Sequence, residues 1–238
     1  MQGQAQRTST SSCETCKMKE SGFLCHLSPD AAKEFESIKS ASYYPAGAPL
    51  FLEREPAKGI FVLCSGKVKL SVSSRGGKTL ILQLAQPGEI LGLSASMSNQ
   101  PYEVRAEALY PCRVAFIRRE DFMAFLQRFP EVYQAVIRQL NSQYSRACEQ
   151  LRTVGLSTSA NEKMARMFLH WFSDEKQTAE GTQIKMALTH EQLAECVGST
   201  RETVTRTLSE FKNRHLVTLK GTTVTIPNRS ALQAVCGD

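Results

Sequence analysis

Six residues whose chemistry could read a base pair stand together in THEQLAECVGSTRETVTRTLSEF (189–211): Ser199, Thr200, Arg201, Glu202, Thr205 and Arg206. An arginine can present two N–H groups to guanine O6 and N7, and a glutamate can accept from the amino group of cytosine. Glu202 and Arg206 are four apart, as are Arg201 and Thr205, so each pair shares a helix face. The bland alternative is a solvated face carrying an ordinary Glu–Arg pair. The setting argues against it. From Arg201 to Arg229, Arg201, Arg206, Lys212, Arg214, Lys220 and Arg229 outnumber Glu202 and Glu210. An acid inside such a stripe repels phosphate, and it makes sense there if it touches a base.

Cysteines form the second set. Cys13-x2-Cys16-x8-Cys25 crowds three thiols into a polar segment with little core to join. With Cys112 they make four, the number a [4Fe–4S] cluster takes. Four thiolates also suit structural zinc, with His26 as a substitute ligand, and a CxxC can be a dithiol switch. Cys112 can equally be core, and Cys64, Cys148, Cys196 and Cys236 lie among apolar neighbours as small buried residues do. No nucleophile–base pair or phosphate loop occurs, and His26, His170, His190 and His215 are scattered, so the chain is not expected to be an enzyme.

These residues need elements to hold them. Thr189-x-x-Gln192 and Ser199-x-x-Glu202 are two capping boxes, each opening a helix. The first helix gives Leu193, Ala194 and Val197 to a core, Gly198 permits the turn, and the second gives Val204, Leu208 and Phe211. Another capping box, Ser159–Glu162, opens a helix with Met164, Phe168 and Phe172 on one face. DEKQTAEGT (174–182) reads as a polar loop, and LVTLKGTTVTI (216–226) as a hairpin about Lys220-Gly221. Three helices and a hairpin describe a winged helix-turn-helix. Upstream, Ser28-Pro29-Asp30 starts a helix. Short strands then follow, among them KVKLSV (67–72), TLILQLA (79–85) and CRVAFI (112–117), with turns at Ser65-Gly66, Gly76-Gly77 and Pro87-Gly88. Strands without intervening helices predict a sandwich or roll.

Between the halves lies a long helix. Tyr133, Ile137, Leu140, Tyr144, Ala147, Leu151 and Val154 recur at spacings of four and three, the period of a coiled-coil seam, which points to a homodimer. The expected fold is therefore α+β: a cysteine-bearing segment (1–28), a β-roll (29–129), a dimerisation helix (130–157) and a winged-helix domain (158–238). Net charge is +6, no run of 18 apolar residues exists, and Met1–Ser12 has no hydrophobic signal region. Neither membrane span nor secretion is expected, and the cytoplasm is the default.

LTHEQLAECVGSTRETVTRTLSEF, with the strand-rich front and the long helix, resembles the cyclic-AMP receptor protein/fumarate–nitrate reduction regulator (Crp/Fnr) superfamily, in its Fnr-like form with an N-terminal cysteine cluster. The resemblance covers the chain from Cys13 to about Ile226. It implies a roll of cyclic-nucleotide-binding type, a dimerisation helix, and homodimers that bind palindromic DNA and contact RNA polymerase. Arg201-Glu202-x-x-x-Arg206 is similar to the receptor subgroup, which implies TGTGA-like half-sites. The nucleotide site is similar in place but not in chemistry: Leu93 stands where the ribose-binding Glu would be, and Asn99-Gln100-Pro101 where Arg-Ser holds the phosphate. No cyclic AMP is expected. Oxygen-sensing relatives bind a [4Fe–4S] cluster through three N-terminal cysteines and one in the roll, which implies Cys13, Cys16, Cys25 and Cys112 as ligands. Here eight residues, rather than five, separate the second and third. An iron–sulfur electron carrier is the remaining alternative, and it would need no recognition helix.

Overall fold

The computed structural model describes residues 27–171, 177–178, 181–185 and 188–236; Cys13, Cys16, Cys25, His26 and Phe172 lie outside the described residues. The chain divides into two compact units. The first runs to Val72 and resumes over Leu82–Arg146; the second takes Ser73–Ile81 and continues from Ala147.

The first unit opens with α1 (Pro29–Ile38), where Ser28 caps the Ala31 N–H and Pro29 occupies the first turn, as its fixed φ allows. Eight strands follow: β1 (Ser40–Tyr44), β2 (Pro49–Phe51), β3 (Gly59–Ser65), β4 (Val68–Ser73), β5 (Thr79–Ala85), β6 (Ile90–Leu91), β7 (Arg105–Ala108) and β8 (Cys112–Arg118). They form two antiparallel sheets ordered β1-β8-β3-β6 and β2-β7-β4-β5, the roll that the short alternating strands predict. Phe51, Phe61, Val68, Tyr102 and Val114 fill one side of the core. The other side is closed by helices: Ala31 and Phe35 of α1 meet Phe122, Phe125 and Leu126 of α3 (Arg119–Arg128), with Val132, Ala135 and Val136 completing the cluster. Between β6 and β7 sits a short α2 (Leu93–Ser98).

Pro130–Val132 forms one 3-10 turn, and α4 (Tyr133–Gly155) begins there, as expected from a proline that cannot continue α3. Its first half is fastened within the first unit. Glu89, only 8% exposed, accepts from Arg146 Nη1 at 2.7 Å, from Gln83 Nε2 at 2.5 Å and from the Gln86 N–H at 3.2 Å. Gln143 Nε2 adds a bond to the Ile90 carbonyl at 2.8 Å. The seven seam positions divide accordingly. Tyr133 and Leu140 pack against the roll's core, and Val154 is half-buried. Ile137, Tyr144, Ala147 and Leu151 are exposed.

The second unit holds α5 (Ala160–Trp171), α6 (His190–Val197), α7 (Arg201–Asn213), α8 (Arg229–Gln233) and the strands β9 (Gln177–Thr178), β10 (Gly181–Lys185), β11 (Thr218–Lys220) and β12 (Thr223–Ile226), in the sheet order β11-β12-β10-β9. Two expectations need correction here. The stretch 174–182 is not all loop: β9 (Gln177–Thr178) pairs with β10 (Gly181–Lys185), which in turn pairs with β12 (Thr223–Ile226). Its polar sequence lacks alternation, and main-chain bonding to a strand far downstream makes it a strand. At Ser159, only half of the box forms. The Ser159 hydroxyl accepts from the Glu162 N–H at 3.1 Å, but the Glu162 carboxylate takes the Thr158 N–H at 2.8 Å. That bond and Arg166 hold its carboxyl below the usual range.

Candidate nucleic-acid interface

The first capping box is complete: the Thr189 hydroxyl accepts from the Gln192 N–H at 3.1 Å, and Gln192 Oε1 accepts from the Thr189 N–H at 3.0 Å. Helix α6 buries Leu193, Ala194, Cys196 and Val197 and ends at Gly198, whose φ of +62° suits glycine. A Cβ there would also come within 3.2 Å of Val154. The side-chain amide of Gln150 donates to the Cys196 carbonyl at 2.6 Å and to the Ile81 carbonyl at 3.0 Å, so it ties the end of α6 to the segment 73–81.

The second box is displaced by one residue. The Ser199 N–H is spent on the Ala194 carbonyl in closing α6, and the cap of α7 falls on Thr200, whose hydroxyl accepts from the Thr203 N–H at 3.3 Å. Glu202 then turns back on its own helix end. Its own N–H and the Thr200 hydroxyl hold its carboxyl below the usual carboxylate range, with Arg201 and Arg206 adding smaller attraction. The Glu202–Arg206 neighbourhood is therefore one of charge, while Arg206 Nη2 lies 3.5 Å from Thr203 Oγ1.

Val204, Thr207, Leu208 and Phe211 are buried, and Arg201, Glu202, Thr205 and Arg206 are all exposed. Ser199 is half-buried and Thr200 is occupied as the cap. What fixes the rotation of α7 is a polar clamp that sequence reasoning missed. Asn161 of α5 accepts from the Thr207 hydroxyl at 3.0 Å and donates to Glu210 at 2.8 Å, and Glu210 in turn takes Arg214 at 3.0 Å. A further bond links the two helices of the motif: His190 Nδ1 is 2.8 Å from Thr205 Oγ1. The wing is β11 (Thr218–Lys220) paired with β12 across Gly221.

In the roll, Cys112 is fully buried, with Sγ 2.9 Å from the Tyr110 carbonyl and 3.3 Å from the Lys67 carbonyl. Burial pushes the thiol above its ordinary value of 9.0. As folded, this is a packed thiol; to serve as a cluster ligand, which is a thiolate, it would have to give up its proton and its two carbonyl contacts. Among the described residues no group of three or more His, Cys, Asp or Glu could hold a metal ion.

In the stretch where the resemblance places a nucleotide site, two large side chains are built into the core. Leu93 is buried in the core. Tyr102 is 3% exposed, stacks on Phe51 with centroids 4.0 Å apart, and donates its hydroxyl to the Gly59 carbonyl at 2.7 Å. Gly92 (φ +72°) accommodates that ring, since a Cβ there would lie 2.6 Å from Tyr102 Cε1.

Residues 41–129 match the cyclic nucleotide-binding domain family, and residues 162–235 match the Crp-like helix-turn-helix domain family. The chain is 26% identical over 217 residues to a CRP-like cAMP-activated global transcriptional regulator of Mycobacterium tuberculosis, covering 90% of this chain and 96% of that one. It is 26% identical over 218 residues to the cyclic AMP receptor protein of Thermus thermophilus, covering 92% and 98%. The fold is similar to that of FixK2 from Bradyrhizobium japonicum, with a TM-score of 0.74 at 20% identity, covering 83% of this chain and 97% of that chain.

Proposed function

Since this chain belongs to the Crp/Fnr family of DNA-binding transcription regulators, we propose that it works as a homodimer reading a palindrome of TGTGA-like half-sites through Arg201, Glu202, Thr205 and Arg206. The observation that carries this reading is α7: a capped helix, clamped by Asn161, that leaves those four side chains together in solvent. A pair of such helices set about one duplex turn apart matches two half-sites. Replacement of Arg206 by Ala is expected to cost ~1–3 kcal/mol on the operator and little on random DNA. Equal weakening on both would reduce Arg206 to a phosphate contact. We infer contact with RNA polymerase from the family resemblance alone.

For the signal, the reading we favour is a [4Fe–4S] cluster on Cys13, Cys16, Cys25 and Cys112. It is supported by three clustered thiols in a polar segment. Leu93, where the resemblance would put the ribose-binding Glu, is an apolar residue buried in the core, which supports an input other than cyclic AMP. When bound, such a cluster would supply oxygen-sensitive charge and crosslinking to the N-terminal segment. Because Cys112 is buried, a second reading stands beside it: His26 or another cysteine completes the set, with iron or zinc. Protein prepared without air is expected to hold about four irons and four sulfides per chain. Loss of iron in Cys112→Ser selects the first reading, and full retention selects the second. Stoichiometric zinc from iron-replete cells ends the oxygen-sensor reading.

A further inference from the structure

Thr205 is exposed on α7, yet its hydroxyl hydrogen is already committed. Oγ1 lies 2.9 Å from the Arg201 carbonyl, which can only accept, so the hydroxyl's single hydrogen goes there. His190 Nδ1 sits 2.8 Å from the same oxygen. With that hydrogen spent, the imidazole must be the donor, and Nδ1 must carry the proton. The imidazolium and the Nδ1–H neutral tautomer both satisfy this. The Nε2–H tautomer would set two lone pairs against each other. Both partners are firmly held. His190 directly follows the cap Thr189 in its complete box, and Thr205 adjoins Val204, which is fully buried.

We propose that His190, which lies outside the recognition helix, is a positioning residue that commits the Thr205 hydroxyl, so that Thr205 meets the major groove with its methyl group and selects a thymine. This rests on the recognition-helix reading above and deepens it. A hydroxyl bonded in this way offers no hydrogen to guanine O6 or N7, adenine N7 or thymine O4. Thr205 is exposed, so its methyl remains to meet the groove, where thymine alone presents a methyl group. The Arg201 carbonyl takes the hydrogen, and His190, by donating to the same oxygen, holds the hydroxyl in that rotamer; together they convert a residue that could donate to several bases into an apolar contact for one.

The test uses the full chain and an operator recovered by selection from random duplexes. Each thymine of a half-site is replaced in turn by deoxyuridine, which removes only the methyl. One thymine is expected to show a loss of about fourfold per half-site, the weight of one buried methyl-sized group. Thr205→Ser, which keeps the hydroxyl, should bind the thymine and uracil operators alike. Thr205→Val, which keeps the methyl, should retain the parent's discrimination between them. His190→Asn places an amide N–H near the Nδ1 position and should retain the base profile, whereas His190→Ala should flatten it at that base pair alone. Independently of DNA, 15N spectra of the free protein should show His190 Nδ1 protonated in the neutral ring. Undiminished uracil sensitivity in Thr205→Ser, lost discrimination in Thr205→Val, or an Nε2–H tautomer would each overturn the proposal. The Arg206→Ala comparison separates the two levels. If it stays operator-specific while the Thr205 variants misbehave, only the His190–Thr205 inference fails.

Discussion

Cys112 shows how surroundings, more than identity, decide what a residue can do. Its sulfur is enclosed by the Tyr110 and Lys67 carbonyls, and a Cβ at Gly66 would lie 2.7 Å from it. Cys148 on α4 is half-buried. Burial raises the Cys112 pKa, so the unfolded chain loses that proton first. The stabilisation is therefore full below the ordinary value of 9.0 and is lost as pH climbs through the folded value. In reduced, metal-free protein at about pH 8, alkylation read by peptide mass spectrometry is expected to reach Cys148 well before Cys112. Equal rates would show an accessible Cys112 and strengthen its case as a ligand. At Glu202 the surroundings act the other way: its own helix end holds the carboxyl below the usual range, which keeps it the acceptor that the proposed contact with a base amino group requires.

Among the elements, α4 carries two different obligations along its length. Up to Arg146 it is fixed to the roll by the Glu89 and Ile90 contacts; from Ala147 it is counted with the second unit, where Gln150 holds the end of α6. Glu89 would be left largely buried and short of its cation if Arg146 were lost. Arg146 is 33% exposed, so water offsets part of that penalty. Arg146→Ala is expected to lower stability by about 1–2 kcal/mol in urea unfolding. Arg152→Ala, which breaks the exposed pair with Glu149, should change it by less than about 0.5 kcal/mol. Similar values for the two would mean that the buried pair is not what fastens α4.

For the whole molecule, the proposed dimer turns on one exposed stripe. Ile137, Tyr144 and Leu151 are seven residues apart and are 55%, 71% and 71% exposed. Leu156, beyond the expected seam, is 76% exposed. Covering such side chains contributes about 1.5–3 kcal/mol each, and a large exposed apolar patch marks an interaction surface. A coiled-coil period fits another helix as the cover, and under the proposed function that helix is α4 of a second copy. We therefore expect Leu151→Glu to sediment as a folded monomer and to lose operator binding, because one half-site alone holds weakly. An unchanged dimer would move the interface off this stripe. Among the described residues, no helix is long and apolar enough to cross a membrane.

The sequence by itself determined what local signals can specify. Ser28-Pro29 starts α1, Thr189-x-x-Gln192 caps α6, alternation marks β5, and helical spacing sorts Val204, Leu208 and Phe211 inward and Arg201, Thr205 and Arg206 outward. Each of these depends on neighbours within a turn or two, so the chain states them directly. Tertiary structure decided whatever depends on partners brought from afar. Cys112 became a buried thiol because Lys67, 45 residues away, closes over it. Gln177–Thr178 and Gly181–Lys185 became strands through main-chain bonds, β10 to the distant β12 and β9 to β10. The cap of α7 fell on Thr200 instead of Ser199, whose N–H closes the end of α6. His190, scattered in the sequence, took up Thr205 fifteen residues on when the turn at Gly198 folded one helix against the other. Hydrogen bonds reach about 3 Å, and no one-dimensional pattern records which distant groups the fold brings within that reach.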